Sequence, residues 1–487
     1  MSVLSVVIFL PLLAATLLAL PRLGTRAIPW IWIGAAALDL ALVVVMWLGY
    51  DGGIAFETRL RWIPSMDAGY HVGVDGLSLP LIAMTALLFL VCAIYSMGAS
   101  ERVRSYAALF LFLQTVSIGV FAALDLLLFF VFFDLSIVGM YFVIVGWGHG
   151  DRARSALKFF LYTFLGSLVL LLGFIGLFLA GGTFDMVELT RTPPAASALV
   201  LLAIGAGLAV KTPAVPVHTW LPPAHTDAPA AGSAILAGVL LKMGTYGFAR
   251  IAMPMLPDAW RTYAWVIIVV GVVSVLYGAL VALAQENLKR LIAYTSVNHM
   301  GYIILALGAA GLAAGDPRAR ELAVSGAVTQ MVSHGLITGA LFLLTGVLWD
   351  RARSYDLGRF GGIAANAPIF TALTAVAAFA SLGLPGLSGF IAEFQIFTGV
   401  IGAGAVLAGA LSIAGILITA ALFLRVLHRA FLGPPGELTG RMIDVRRGEL
   451  AAVAPLLLLS LVIGIAPRWL LGLIEPASAL LVSLVSR

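Results

Sequence analysis

Cysteine and charged residues are both scarce in this sequence, and each scarcity excludes a class of function. The one cysteine, Cys92, rules out an intrachain disulfide and leaves too few thiolates to ligate an iron–sulfur cluster. Neither a haem-attachment motif nor a zinc-ligand spacing is present. We therefore expect no cofactor and no metal site in this chain, so that any redox chemistry belongs to a partner protein.

Charged residues make up only 10% of the chain, whereas soluble domains carry roughly 25%. Hydrophobic residues make up 62%, and the mean hydropathy is +1.08. At roughly 20 apolar residues per span, we predict an all-α polytopic membrane protein with about 14 transmembrane helices. The predicted spans are 3–20, 28–49, 77–98, 106–123, 126–147, 157–181, 196–224 (broken), 229–252, 262–284, 291–312, 322–349, 366–402 (broken), 405–430 and 450–472, and the tail beyond them extends the last helix.

The basic residues are scattered among short loops, so the net charge of +5 does not indicate nucleic-acid binding. Loops after odd-numbered spans hold 17 Lys and Arg, against 9 on the opposite side. The positive-inside rule therefore predicts that the odd loops are cytoplasmic and that both termini lie on the other side. The N-terminal apolar stretch has its arginines after it, the reverse of a signal peptide, so we interpret it as a retained first span.

Two predicted spans are interrupted by proline and glycine: the seventh near Pro213 and Pro216, and the twelfth at Gly383–Phe390. Paired broken helices are typical of transporters built from two repeats. Because the breaks are five spans apart, the repeats are expected to be inverted in the membrane. The predicted organisation is a three-helix segment (1–104), a first five-helix repeat (105–255), a second (256–431) and a C-terminal part (432–487). The alternative is that both breaks are ordinary proline kinks.

Four ionisable residues inside these spans are candidates for proton transfer. Asp134 needs a partner from another helix, and Lys211 at the first break is the natural one. A static ion pair is the structural alternative, although such pairs contribute little stability. Lys242 has no carboxylate within a helical turn, and Glu393 follows the second break, roughly where Lys211 lies in the first repeat. Ionisable groups within a membrane mark proton paths by default.

The histidines are secondary candidates. His334 lies deep in the eleventh span and could relay protons between Lys242 and Glu393. His299 lies nearer the cytoplasmic end of the tenth span, and a structural role is an equal alternative for both residues. His218 and His225 flank the broken seventh helix, where capping of freed carbonyls is the favoured interpretation. Asp125 has the position of a helix N-cap.

Several stretches resemble the antiporter-like membrane subunits of respiratory complex I, a superfamily shared with Mrp-type cation/proton antiporters and membrane-bound hydrogenases. The most specific stretches are VKTPAVPVHTWLPPAHTDAP and AGVLLKMGTYGFAR, and FLYTFLGS, AYTSVNHMGY and GLPGLSGFIAEF agree with them. The similarity covers most of the chain, from GVDGLSLPL to the thirteenth span.

The resemblance implies a proton-translocating subunit of NADH–quinone oxidoreductase. It places Lys211, Lys242, His334 and Glu393 at the family's central positions, and glutamate at 393 is similar to the M-type branch. It also implies that NADH, FMN, iron–sulfur clusters and quinone are bound by partner subunits. The expected neighbours are other membrane-arm subunits, especially adjacent antiporter-like ones, in a bacterial-type cell membrane.

One position departs from the family pattern, which generally has glutamate where this chain has Asp134. The side chain is one methylene shorter, so we expect its pair with Lys211 to be loosened or bridged by water. Two other functions remain open: exchange of Na⁺ or K⁺ for protons in an Mrp-like or hydrogenase assembly, and a scaffold that moves no ions.

Overall fold

The computed structural model describes residues 2–18, 24–98 and 101–486, and these are mostly helical with one two-stranded sheet. In chain order the elements are α1 (Val3–Leu18), α2 (Ile28–Leu48), β1 (Ala55–Ile63), β2 (Ala68–Val74), α3 (Ser78–Tyr95), α4 (Val103–Ala122), α5 (Leu126–Trp147), α6 (Arg152–Gly181), α7 (Met186–Arg191), α8 (Ala198–Lys211), α9 (Leu221–Asp227), α10 (Ala230–Met255), α11 (Pro257–Thr262), α12 (Ala264–Leu283), α13 (Leu288–Ala310), α14 (Pro317–Ala352), α15 (Ile363–Asn366), α16 (Pro368–Ser381), α17 (Ser388–Gly402), α18 (Val406–Leu432), α19 (Arg447–Ile465) and α20 (Arg468–Ser486).

Twelve helices in the described part of the chain are long and apolar enough to cross a membrane, which confirms the predicted polytopic all-α class. A helix satisfies its backbone hydrogen bonds internally, as lipid requires. Four further apolar helices, α1, α8, α16 and α17, are shorter. The count of fourteen crossings and the inverted repeats stay predictions.

Both predicted breaks are present. The seventh span consists of α8 and α9, separated by residues 212–220, which include a cis peptide bond before Pro216. The twelfth consists of α16 and α17. Between them Gly383 and Gly386 have φ angles of +74° and +95°, a conformation that glycine adopts without steric cost.

The predicted C-terminus is wrong in one respect, because the tail does not extend the last span. Helix α19 ends at Ile465, and α20 begins separately after Pro467. The ring of Trp469 lies 5.4 Å from that of Trp47 at the end of α2. At the other end of α20, the Val485 carbonyl accepts a hydrogen bond from Arg261 Nη1 at 3.0 Å. Both contacts are with helix ends on the predicted non-cytoplasmic side, so α20 lies along that face.

The antiparallel pair β1–β2 packs on the same face. As predicted, Asp125 caps α5: its Oδ1 accepts from Leu128 N at 2.9 Å, and its Oδ2 accepts from Gly69 N of β2 at 3.1 Å. His71 bridges Asp185 and Glu57, with both nitrogen–oxygen distances at 2.8 Å. Burial opposes protonation there, but the two carboxylates outweigh it and raise the pKa of His71 above its usual value.

The centre of the bundle is formed by α10, α13 and α14. The apolar windows of α13 and α14 are completely buried, whereas only 28% of that of α2 is buried. Small residues permit this packing: a Cβ at Gly278 of α12 would lie 2.6 Å from the Asn298 backbone nitrogen of α13. The polar side chains of α10, α13 and α14 are therefore shielded from lipid by a ring of outer helices.

Candidate functional site

Lys242 lies at the midpoint of α10 and is fully buried. The segment Leu236–Leu240 has π-helical hydrogen bonding, an irregularity that frequently occurs at functional sites. The Lys242 Nζ donates to the carbonyl of Ala237 in that segment at 2.5 Å. It also lies 2.6 Å from Nδ1 of His334 at the middle of α14. Two groups that can each hold a proton are thus in direct hydrogen-bond contact.

Beyond His334, a small cavity leads toward the second break. Its polar lining comes from His299, Gln330, Ser333, His334, Thr338, Ser381 and Glu393. The imidazole centroids of His299 and His334 are 5.2 Å apart, and His299 Nε2 lies 3.2 Å from the Ser381 carbonyl. His299 is the twelfth of 23 residues in α13, so its predicted position nearer the cytoplasmic end is wrong. Both histidines face the cavity from mid-helix.

Glu393 completes this row at the far wall of the cavity and is only 4% exposed. It belongs to α17, just after the break, and its Oε2 lies so close to Gly383 that a Cβ there would clash with it. Glycine in the break therefore leaves room for the carboxylate. The structure brings together Lys242, His334 and Glu393, in that order.

Asp134 and Lys211 do not form a direct ion pair, since no nitrogen–oxygen contact within 4.0 Å joins them. Instead, Lys211 Nζ donates to Ser136 Oγ at 3.0 Å and lies 4.7 Å from the centroid of the Phe133 ring. The Asp134 Oδ1 is buried and has no hydrogen-bond partner in the described part of the chain. The two charges still interact electrostatically across the gap. This looser pairing of Asp134 with Lys211 agrees with the prediction from an aspartate one methylene shorter than the family's glutamate.

Lys211 and Glu393 occupy less equivalent places than the sequence predicts. Lys211 is the last residue of α8, before its break, where the partial negative charge of a helix C-terminus favours an ammonium. Glu393 follows its break. The end of α8 nevertheless packs closely on the Lys242 helix, because a Cβ at Gly244 would lie 2.8 Å from Thr212 N. Lys211 thus lies beside the segment of α10 that carries Lys242.

The two remaining histidine candidates differ in their contacts. The ring centroid of His218 lies 5.0 Å from that of Tyr277, and its Nδ1 has no hydrogen-bond partner in the described part of the chain, so capping by His218 stays a prediction. His225 does not cap anything: it is completely buried, and neither ring nitrogen has a partner among the residues that the structure describes. Its ring stacks on Phe342 at 4.4 Å and lies within electrostatic range of both Lys242 and Lys289. The favoured prediction of capping is therefore wrong for His225.

Sequence reasoning missed a third buried lysine, Lys289, near the start of α13. Its Nζ donates to the Ala228 carbonyl at 2.5 Å and lies 5.3 Å from the Tyr355 ring centroid. The Tyr355 hydroxyl is 3.0 Å from Nε2 of His149. Burial, followed by the charge of Lys289, lowers the pKa of His149 to about 4. A clue was available in the sequence, because the chain has only four lysines and two of them were already candidates.

These groups lie beside a cavity of about 620 Å³ on the predicted cytoplasmic side, lined by His149, Tyr355, Trp349, Asp350 and Glu449 among others. Its inner wall includes Ala230 and Ala231, the first residues of α10. Lys289 contacts the cavity-lining Tyr355, and His225 interacts electrostatically with both Lys289 and Lys242.

Asp39 is a second missed group. It lies within α2, is fully buried, and accepts a 2.6 Å hydrogen bond from Gln114 Nε2 of α4. The signal was an aspartate in the middle of an apolar run. Among the described residues, no group of three or more His, Cys, Asp or Glu could hold a metal ion.

Comparison with known proteins gives a consistent result. Residues 123–419 match the family model described as "NADH:quinone oxidoreductase/Mrp antiporter, TM". The chain belongs to this family. Within it, NADH-quinone oxidoreductase subunit M of Rhodobacter capsulatus is 37% identical over 99% of this chain and 96% of its own length. NAD(P)H-quinone oxidoreductase chain 4 1 of Picosynechococcus sp. is 38% identical over 96% of this chain and 89% of its own.

Two solved structures share the architecture of this chain. A chain of respiratory complex I from Thermus thermophilus matches with a TM-score of 0.90 and 30% identity over 99% of both chains. A chain of the Mrp complex from Dietzia sp. matches with a TM-score of 0.88 at 23% identity over 100% of both chains, which shows the shared fold. The resemblance to antiporter-like complex I subunits, stated from the sequence, is confirmed.

Proposed function

We propose that this chain is a proton-translocating membrane-arm subunit of NADH–quinone oxidoreductase. The observation that carries the proposal is the buried row of Lys242, His334 and Glu393, in which the first two are in contact at 2.6 Å. Relatives of similar length that are named as subunits of this enzyme support it. The chain itself carries out no redox step and moves charge in response to reactions in other subunits.

The row works by proton exchange between neighbouring groups. Lys211, with its charge tuned by Asp134, shifts the balance between protonated and neutral Lys242. A proton released by Lys242 reaches Glu393 through His334 and leaves from there to the non-cytoplasmic side. The Lys242 ammonium is buried without a full set of hydrogen-bond partners, which favours release of its proton. Lys242 is therefore suited to passing a proton on to its neighbour.

Protons reach Lys242 from the cytoplasmic side. The route begins in the cavity beside His149 and passes Lys289 and His225. Support comes from the two ring nitrogens of His225, which have no hydrogen-bond partner among the described residues. A buried polar group without a partner lowers the stability of the fold, and a role in proton uptake explains why a histidine stands at this position. The positive-inside count supports this orientation, with both termini on the opposite side.

The same proposal includes the domain organisation. Residues 105–255 and 256–431 form two inverted repeats, each containing one broken helix, with 1–104 and 432–487 flanking them. NADH, FMN, iron–sulfur clusters and quinone belong to partner subunits, and the closest partners are adjacent antiporter-like subunits. The apolar faces that α2 and α6 leave exposed suit lipid and such neighbours.

The competing function is cation/proton exchange in an Mrp-type or hydrogenase assembly, which the structural likeness to an Mrp chain keeps open. Purification of the chain with its native partners separates the two. The proposal expects NADH–quinone activity and complex I subunits in the purified material. Cation exchange without NADH–quinone activity would refute it.

A scaffold role is tested in the same complex. Lys211→Ala and Glu393→Ala are expected to assemble and oxidise NADH but to lose proton pumping. The exposed Glu475 provides a matched control, because Glu475→Ala should leave pumping unchanged. Full pumping in both test variants would show that the row carries no protons.

A further inference from the structure

Two polar side chains of helix α10 lie on the same side of the helix as Lys242. Tyr246 and Arg250 follow it at intervals of four residues, which places the three groups on one side of the helix. Tyr246 is 1% exposed, and the side chain of Arg250 is 14% exposed. The three groups therefore run from mid-membrane toward the end of α10 that is remote from Lys289.

Arg250 is held in place by two partners. Its Nη2 lies 2.7 Å from Oδ2 of Asp75, and its Nε donates to the Tyr246 hydroxyl at 2.9 Å. Asp75 is itself fixed at the start of α3, where its Oδ1 accepts from the backbone nitrogens of Leu77 and Ser78, each at 3.0 Å. The guanidinium position is therefore tied to two helices.

On its outer side Arg250 faces a cavity of about 690 Å³. Tyr50 and Asp51, from the loop before β1, line the cavity together with Arg191 and with Leu473 of α20. All of these belong to the predicted non-cytoplasmic face. Arg250 and Asp75 line the same cavity, so they lie between it and Lys242.

This arrangement offers a proton no route outward from Lys242. Arginine is not deprotonated in proteins, and its guanidinium has no acceptor. The Tyr246 hydroxyl donates to the carbonyl of Phe121 at 3.0 Å and accepts from Arg250, so both bonds tie it to fixed groups. A fixed positive charge also repels an approaching proton, as in pores that exclude protons. On the cytoplasmic side, by contrast, the nearest groups are His225 and Lys289, which can exchange protons.

We propose that Arg250, positioned by Asp75 and Tyr246, is an electrostatic plug that closes the first half of the protein toward the non-cytoplasmic side. A proton on Lys242 then leaves only sideways, through His334 toward Glu393. The proposal rests on the proposed function. It assigns to Arg250, which lies outside the row of Lys242, His334 and Glu393, the task of preventing direct proton exit from Lys242 to the non-cytoplasmic side.

The test uses the intact complex in proteoliposomes with a pH-sensitive dye inside. Passive proton flux is measured under an imposed potential without NADH, and pumping is measured afterwards with NADH. Arg250→Met is expected to raise the passive flux roughly tenfold or more, because a unit charge within a few ångströms of the path is removed. NADH oxidation persists while the pH gradient falls. Arg250→Lys keeps the charge and should remain tight.

Two further variants make the result specific. Adding Lys242→Met to Arg250→Met should return the flux to the wild-type level, because the leak runs through Lys242. Arg191→Met, at an exposed position of the same cavity, should cause no leak.

Three results would overturn the plug. They are a wild-type flux in Arg250→Met, a wild-type flux in Arg250→Gln, which also removes the charge and tests the idea if Arg250→Met does not assemble, and a leak that survives the loss of Lys242. A wild-type complex that pumps no protons with NADH would instead refute the proposed function.

Discussion

The contact between Lys242 and His334 allows a quantitative prediction. The Lys242 ammonium has three donors, and the structure shows two acceptors for it: the Ala237 carbonyl at 2.5 Å and His334 Nδ1 at 2.6 Å. His334→Leu removes one of them. A buried donor left without a partner costs about 1–3 kcal/mol, which corresponds to roughly a 5- to 150-fold smaller population of protonated Lys242. Transfer through Lys242 should slow by a similar factor.

The assay is NADH-driven proton uptake into sealed membrane vesicles, divided by the rate of NADH oxidation. The ratio should fall in His334→Leu but not in His428→Leu, which removes an exposed histidine. His334→Gln distinguishes two roles, because glutamine can accept a hydrogen bond from Lys242 but cannot carry a proton. A relay predicts that His334→Gln fails, whereas a purely positioning role predicts that it pumps. A wild-type ratio in His334→Leu would refute the reasoning altogether.

Three further predictions concern other parts of the molecule. Asp134→Glu lengthens the side chain so that it can contact Lys211, and this variant should keep pumping. Asp134→Asn should lower the number of protons moved per NADH. Equal pumping in wild type and Asp134→Asn would exclude a role for the Asp134 charge. His225→Phe keeps the apolar stack but removes both ring nitrogens, so proton uptake should slow at unchanged subunit content, and normal pumping would remove His225 from the uptake route. The third is a pH dependence. Because the pKa of His71 is raised above its usual 6.5, its contribution to hairpin stability is fully present below that pH and is lost as the pH rises through the raised value. The pKa of Asp185 is lowered despite its burial, chiefly by its hydrogen bond to His71, so its contribution is lost only in acid. Hydrogen-exchange protection of β1–β2 relative to a His71→Gln variant should be largest near about pH 6 and smaller near about pH 8.5; equal protection would contradict it.

The sequence was informative where it violated the rules of a membrane helix. Prolines and glycines within apolar runs located both broken helices, and Lys211, Lys242 and Glu393 were conspicuous because charge is costly in lipid. Asp39 had the same signal and was overlooked. For these residues the cost of placing a charged group in an apolar span is evident from the neighbouring residues in the sequence, so the sequence alone identifies them.

Other features depend on three-dimensional contacts. Helix α20 is long and apolar enough to span a membrane, and only its contacts with the ends of other helices show that it lies along one face. Lys289 is near a helix start, where lysine is usually exposed, and its burial follows from the packing of Ala228 and Tyr355 around it. Likewise, the lack of partners for His225 cannot be inferred from its neighbours in sequence. Packing between distant segments decides each of these cases.

The most direct test of the central claim is the number of protons translocated per NADH by complexes carrying Lys242→Met or Lys158→Met. Both substitutions remove a lysine charge, but Lys242 is fully buried in the row and Lys158 lies partly exposed at the start of α6. The account predicts that the ratio falls in Lys242→Met, with NADH oxidation retained, and stays at the wild-type value in Lys158→Met. An unchanged ratio in Lys242→Met, in a fully assembled complex, would contradict it.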